Sequence, residues 1–273
     1  MGSSAYDGRS ILEVVRQTRS PRDSYITVYG RKPVLEALHD PQLQVAKVIV
    51  AHNAQGESLD AVVGAARERG VKVYHAPPHR VKSLAGNGRH DQGVVADVVA
   101  PRLRTLDEFL ARPGPEALPG RVLVLDGVSN PANVGMILRT AAATGLGAVA
   151  LPRVGSPDLG PLVVKASAGT AFSSPVLRCH TAEEALERLA GAGYTTLGLA
   201  ADAPEPIFRL DLPEHAAFAV GGETGGVSPA ARPWVSRWVS IPMAERVESL
   251  NVASAVAMLG YELLRRRLVS PEL

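Results

Sequence analysis

Cysteine occurs only once in this 273-residue sequence, at Cys179, which excludes an internal disulfide framework and any zinc site assembled from several cysteines. Such a chain fits a reducing cytoplasm. Long apolar runs are missing too: no segment approaches the roughly 20 residues of a membrane span, and MGSSAYDGRS at the start lacks the apolar core of a signal peptide. Charge of one sign is scarce, with a formal net charge of +2, so indiscriminate coating of nucleic acid is excluded while a local basic patch is not. The familiar catalytic signatures are absent: there is no Walker A lysine loop, no G-x-S-x-G elbow and no HExxH pair. His180 and His215 stand alone and read as surface residues. Cys179 and His180 are neighbours and so point to opposite faces of a strand, which makes Cys179 a structural thiol rather than a nucleophile. The expectation is a soluble, cytoplasmic protein without membrane contact or metal.

What the chain does have is a 46% hydrophobic content, enough for one large domain or two smaller ones. Its basic residues lean to one end, with His39, His52, His75, His79 and His90 accompanied by Arg31, Lys32, Lys47, Arg80, Lys82 and Arg89. Residues 1–24 read as a flexible extension. From there, strands at Tyr25 to Tyr29, Val45 to Ala51, Val71 to Tyr74 and Gly93 to Val99 alternate with helices from Pro33, over Ser58 to Arg69 and near Arg80 to Leu84, a small α/β domain over 25–100. Residues 101–120 are dense in proline and glycine, with an amphipathic stretch at Leu106 to Leu110, and read as a linker. Over 121–273 the alternation resumes and ends in a long helix from Val252, which implies a largely parallel sheet covered on both faces.

Three polar segments interrupt this second unit, each at the C-terminal end of a predicted strand. The first, after Val122 to Leu125, reads DGVSNPANVGMILRT. Asn130 is a good N-cap and Pro131 suits the first helical position. Ala132, Gly135 and Arg139 share a stripe on the helix, and the two small residues leave room beside the arginine. Two readings of this segment are open: a polar site, or helix capping by Asn130 and Asn133 with Arg139 in a buried ion pair. The second segment, Gly221-Gly222-Glu223-Thr224-Gly225-Gly226, is a ligand loop or a glycine-rich turn, and it lacks the spacing of a dinucleotide fingerprint. The third, Ile241-Pro242-Met243 through Ser249-Leu250-Asn251, is a loop in which Ser249 or Asn251 caps the last helix. In open α/β sheets, that strand edge is where ligands bind.

Together and in this order, Asn130-Pro-x-Asn133-x-Gly135-x-x-x-Arg139-Thr140, Gly221-x-Glu223-x-x-Gly226 and Ile241-Pro242-Met243 with Ser249-Leu250-Asn251-Val252 resemble the motifs of the SpoU/TrmH family of RNA ribose 2′-O-methyltransferases, in the SPOUT superfamily. Val28-Tyr29-Gly30-Arg31-Lys32-Pro33-Val34-Leu35-Glu36-Ala37-Leu38 and Gln92-Gly93-Val94-Val95-Ala96 resemble the ribosomal-protein-like substrate-binding domain that often precedes it. The resemblance implies an α/β fold: a C-terminal parallel-sheet SPOUT domain with a deep trefoil knot, preceded by a small α/β RNA-binding domain. It implies S-adenosylmethionine as cofactor, with contacts falling on Gly221, Gly222, Ile241, Met243 and Leu250. The catalytic arginine falls on Arg139, with Asn133, Glu223, Ser249 and Asn251 around it. It further implies a homodimer with the active site at the subunit interface, and RNA contacts at Arg31, Lys32 and Arg89, although a solvated surface cation remains open for each of these three. The usual His-Gln-Gly of the substrate-binding domain stands here as His90-Asp91-Gln92-Gly93, and the added acid sets this loop apart from a simple phosphate site.

The implied reaction is methylation of a ribose hydroxyl in structured RNA. The two-domain arrangement points to 23S rRNA, for housekeeping or for antibiotic resistance; a tRNA substrate is the alternative. A noncatalytic RNA-binding or ribosome-assembly factor is the reading from another class. The joint presence of Arg139, Asn133, Glu223 and Asn251 argues against it, because a retired site has no chemical reason to keep all four.

Overall fold

The computed structural model describes residues 25–86, 91–111, 120–223, 225–244 and 248–269, and two sheets form within them. The expected extension over 1–24 lies outside the described residues. The smaller sheet contains β1 (Tyr25–Tyr29), β2 (Val45–Ala51), β3 (Val73–Ala76) and β4 (Val94–Val99), in the order β1-β4-β2-β3. In β1 the alternation of β-branched and aromatic residues sends Ile26 and Val28 inward, to 1% and 2% exposure. Helices α1 (Arg31–His39), α2 (Glu57–Glu68) and α3 (Pro78–Ala85) accompany this sheet. Strand β3 begins two residues later than the apolar run suggests. The backbone N–H of Val71 closes the end of α2 by donating to the Ala66 carbonyl (2.8 Å), so it is spent before the strand begins.

The larger sheet contains β5 (Arg104–Thr105), β6 (Arg121–Asp126), β7 (Ala148–Pro152), β8 (Val176–Cys179), β9 (Thr195–Leu199), β10 (Glu205–Pro206), β11 (Ala216–Gly221) and β12 (Arg237–Ser240). Its order is β10-β12-β9-β11-β6-β7-β8-β5, and each pairing is parallel. Burial on both faces explains the unbroken apolar run of β6. Leu123 and Leu125 join a core with α5 (Pro131–Thr144), α6 (Pro161–Ala166) and α8 (Val252–Val269), while Val122 and Val124 face α4 (Leu106–Leu110) and α7 (Ala182–Gly191). The expected doubly covered α/β sheet is therefore present.

The stretch read as a linker does more than span. Arg104 and Thr105 pair with Leu177 and Arg178 as the sheet's edge, and α4 follows at once. A capping box starts that helix: the Thr105 hydroxyl accepts from the Glu108 N–H (3.1 Å), and the Glu108 carboxylate accepts from the Thr105 N–H (2.9 Å). Leu106 and Phe109 are buried with Leu177 and Cys179. Burial pushes the Cys179 thiol up to about 12, as suits a structural residue.

Helix α8 is anchored near its end by a buried carboxylate. Glu262, 7% exposed, accepts from Nε of Arg265 (2.8 Å) and Nε of Arg266 (2.7 Å), while Nη2 of Arg266 reaches the Ile207 carbonyl (2.7 Å). These bonds, that from Arg265 foremost, lower the Glu262 carboxyl from 4.5 to about 2. A folded value below the unfolded one gives stability that is present above pH 4.5 and lost as pH falls towards 2. Glu262→Gln is therefore expected to destabilise the neutral-pH protein by about 1–3 kcal/mol. In a series of thermal melts the gap to the wild type closes as pH falls through that window; a gap independent of pH refutes the assignment.

Candidate active site

Strand β6 ends at Asp126, in register with Gly221 at the end of its neighbour β11. After β6, Gly127 turns at φ +66°, and Asn130 caps α5 by accepting from the Ala132 N–H (2.9 Å), with Pro131 in the first turn. After β11 the glycine loop folds back on itself through a bridge between Gly222 and Gly226. A Cβ on Gly221 would lie 1.8 Å from the Gly226 carbonyl carbon, and one on Gly222 would lie 2.5 Å from the Gly127 oxygen. These two positions admit only glycine because backbone packs on backbone. Asp126, 8% exposed, completes the junction: its carboxylate accepts from the Ser228 N–H (2.6 Å) and ties the far end of the loop to β6. An acid closing a buried apolar strand is the sequence signal for this tie.

A cavity of about 280 Å³ opens where β9, β11 and β12 end against the start of α8. All five residues expected to hold a cofactor, Gly221, Gly222, Ile241, Met243 and Leu250, line it, together with Glu223 and Ser249. The sequence reading missed the wall from the end of β9, Leu199 to Asp202, and missed Arg232 and Trp238. The Arg232 guanidinium sits 5.5 Å from the Trp238 ring centre and its Nε donates to the Val227 carbonyl (3.1 Å), so this cation is engaged in holding the loop.

Beside the cavity the three polar segments meet. Asn133, 3% exposed, donates through Nδ2 to Oε1 of Glu223 (2.7 Å). The Asn251 Nδ2 donates to the same oxygen (3.1 Å) and to Oδ1 of Asn133 (3.2 Å), while Asn251 Oδ1 caps α8 by accepting from the Ala253 N–H (2.9 Å). Capping alone accounts for Asn130 but not for Asn133, whose bonds cross the molecule. Two carboxamides thus fix the position of one carboxylate at the mouth of an apolar cavity.

Arg139 corrects both parts of its local reading. It is exposed on α5 and its side chain makes no hydrogen bond or ion pair with any described residue, so it is not a buried ion pair. Nor does Gly135 leave room for it. A Cβ there would meet the Ala166 Cβ at 2.5 Å and the Val163 oxygen at 2.6 Å, so the glycine lets α6 pack against α5. Arg31 and Lys32 sit at the start of α1 in the smaller unit, and Arg89 lies outside the described residues. Among the described residues no group of three or more His, Cys, Asp or Glu is placed to hold a metal ion, and no helix among them is long and apolar enough to cross a membrane.

Comparison with known proteins adds independent findings. Residues 120–261 match the SpoU rRNA Methylase family, and residues 27–104 match the family described as RNA 2′-O ribose methyltransferase substrate binding. The 23S rRNA (guanosine-2′-O-)-methyltransferase RlmB of Ralstonia nicotianae is 35% identical over 85% of this chain and 92% of its own. Among solved structures, an RNA 2′-O ribose methyltransferase superposes with a TM-score of 0.57 at 26% identity, covering 90% of each chain. The SpoU methyltransferase AviRb from Streptomyces viridochromogenes, solved in complex with AdoMet, shares the fold with a TM-score of 0.61 at 24% identity, over 91% of this chain and 92% of its own.

Proposed function

The chain belongs to the SpoU rRNA methylase family, and from that premise we propose that it methylates a ribose 2′-hydroxyl of structured RNA, with S-adenosylmethionine as donor and 23S rRNA as substrate. One observation carries the proposal: the cavity lined by the glycine loop opens beside the Asn133, Glu223 and Asn251 cluster. The 23S assignment is supported by the similarity to RlmB of Ralstonia nicotianae. We divide the chain into a substrate-binding unit over 25–100 and a methyltransferase unit from 121 onward, a reading supported by family matches over 27–104 and 120–261, with β5 and α4 of the intervening segment packed on the second unit.

The walls fit the donor. Val220, Ile241, Leu250 and Val252 make the cavity largely apolar, Arg232 is taken up by Trp238, and Asp202 and Glu223 supply negative charge. When bound, S-adenosylmethionine supplies a methyl group on a cationic sulfur, which these walls tolerate. In the proposed mechanism Glu223, held by the two asparagines, orients the ribose at the cavity mouth, with Ser249 beside it. Arg139 stabilises the negative charge that grows on the 2′-oxygen as its proton passes to solvent water.

We place the active site at the interface of a homodimer. Exposed apolar side chains on α5 and on the two helices packed against it support this: Met136 on α5 is 42% exposed, Leu162 on α6 61%, and Met258 and Tyr261 on α8 45% and 57%. A deep trefoil knot is supported by strand order, since β11 lies between β6 and β9 while α8, following the more distant β12, returns to pack on α5.

Calorimetry is expected to show S-adenosylmethionine binding to the protein alone, and no binding overturns the enzyme reading. Primer extension at limiting dNTP, on RNA from cells with and without the protein, is expected to give one protein-dependent stop in 23S rRNA. A stop in tRNA instead moves the substrate. The nucleotide found separates a housekeeping role from antibiotic resistance.

A further inference from the structure

A groove of about 840 Å³ runs over the smaller unit, lined by Arg31, Lys32, Asn53, Gln55, Ser58 and Gln92 among others. The two cations among its described lining residues are not equivalent. Nε of Arg31 donates to the Gln92 carbonyl (3.3 Å), Nη1 to the Ser58 hydroxyl (2.8 Å) and Nη2 to the Gln55 carbonyl (2.9 Å), while its backbone N–H donates to the Gln92 carboxamide oxygen (2.9 Å). One side chain thus ties the start of α1 to the walls on either side. Local bonds and packing shape those walls. Gln92 is held at φ +50°, and Asp91, 5% exposed, has its carboxylate turned inward to accept from the Gly93 N–H (2.8 Å). The acid that set this loop apart is therefore consumed by the turn. A Cβ on Gly93 would lie 2.6 Å from that of Ala54, so the opposite wall is packed against it.

Lys32 has no such duty. Its side chain is 88% exposed, and its ammonium lies 3.9 Å from a Glu36 carboxylate that is itself 66% exposed, a pairing worth little in water. Asn53 and Gln55, both exposed, bring carboxamides that offer a donor and an acceptor together, the combination that reads the edge of an unstacked base. We propose that this groove is a subsite for a single unpaired nucleotide of the RNA substrate, in which Lys32 contacts a phosphate and Arg31 is a positioning residue that braces the walls without touching RNA. This rests on the RNA reading above and assigns the two neighbouring cations separate roles.

Salt dependence separates those roles, because a lost phosphate contact lowers the slope of log affinity against log salt by about 0.7–0.9, whereas a distorted groove does not. The measurement is filter binding of the full chain to transcribed 23S rRNA between about 50 and 200 mM salt. Lys32→Ala is expected to lower the slope by that amount with an unchanged melting temperature. Arg31→Ala is expected to keep the wild-type slope while losing affinity and thermal stability. Should that variant fail to fold, Ser58→Ala removes one end of the brace and is expected to lower affinity at constant slope. An unchanged slope for Lys32→Ala, or a slope lowered by Arg31→Ala or Ser58→Ala, overturns the proposal. Absence of salt-dependent binding by the wild type overturns the RNA reading itself, and this subsite with it.

Discussion

Arg139→Ala is expected to abolish methyl transfer while the S-adenosylmethionine dissociation constant and the sedimenting species stay as in the wild type. The Arg139 side chain is exposed and bonded to no described residue, and it does not line the cavity, so neither fold nor donor binding depends on it. A guanidinium with its N–H groups uncommitted is what a developing oxyanion requires, and deleting one such donor typically costs about 100- to 1000-fold in turnover. Labelled methyl incorporation into 23S rRNA, beside calorimetry of the donor, measures both halves. Arg139→Lys keeps the charge without the planar fork and is expected to recover only part of the rate. Turnover within a few-fold of wild type in the alanine variant removes the residue from the mechanism.

The second large effect is steric. In Gly221→Ala the new methyl would sit 1.8 Å from the carbonyl carbon of Gly226, 2.0 Å from its oxygen and 2.2 Å from the Val227 nitrogen. All three are backbone atoms, and the Gly226 N–H is itself bonded to the Gly222 carbonyl (3.1 Å), so no rotamer change relieves the clash. The loop must leave β11, which removes a wall of the cavity. A destabilisation of about 3 kcal/mol or more is expected, equivalent to a fall of roughly 6–12 °C in Tm, together with loss of donor binding in calorimetry. Gly225→Ala is the matched control. Its Cβ would meet nothing within 4 Å, so melting temperature and affinity are expected to stay unchanged. If the two variants behave alike, the backbone packing at Gly221 is not what shapes the cavity.

Much of this architecture was legible in the sequence because burial leaves a periodic trace. The apolar run of β6 and the alternation in β1 each announce how many faces are covered. The two glycines and three apolar residues expected at the donor came from the family resemblance rather than from any local pattern, and all five line one cavity. What stayed hidden lacks a period or depends on distant partners. A strand of two residues, β5, has no alternation to display, and proline and glycine around it masked the threonine and glutamate that cap the next helix. Gly135 sits beside Arg139 in the helical pattern, yet the helix that fills its space arrives from another part of the chain. Arg31 resembles any surface cation until the Gln55, Ser58 and Gln92 groups that occupy it are brought together.

The edge strand also decides where this protein can be divided. A chain begun at Arg121 matches the composition break, but it discards the partner of β8 and the helix bearing Leu106 and Phe109. The backbone of β8 at Leu177 and Arg178 then becomes an open sheet edge, flanked by newly wetted apolar surface and by a thiol that burial had kept inert. Unpaired edges of that kind recruit other copies. Severing instead between Val99 and Arg104, where one sheet has ended and the next has not begun, carries β5 and α4 along with the catalytic half. For dissection into working parts, the seam of this molecule lies before its proline-rich stretch rather than after it.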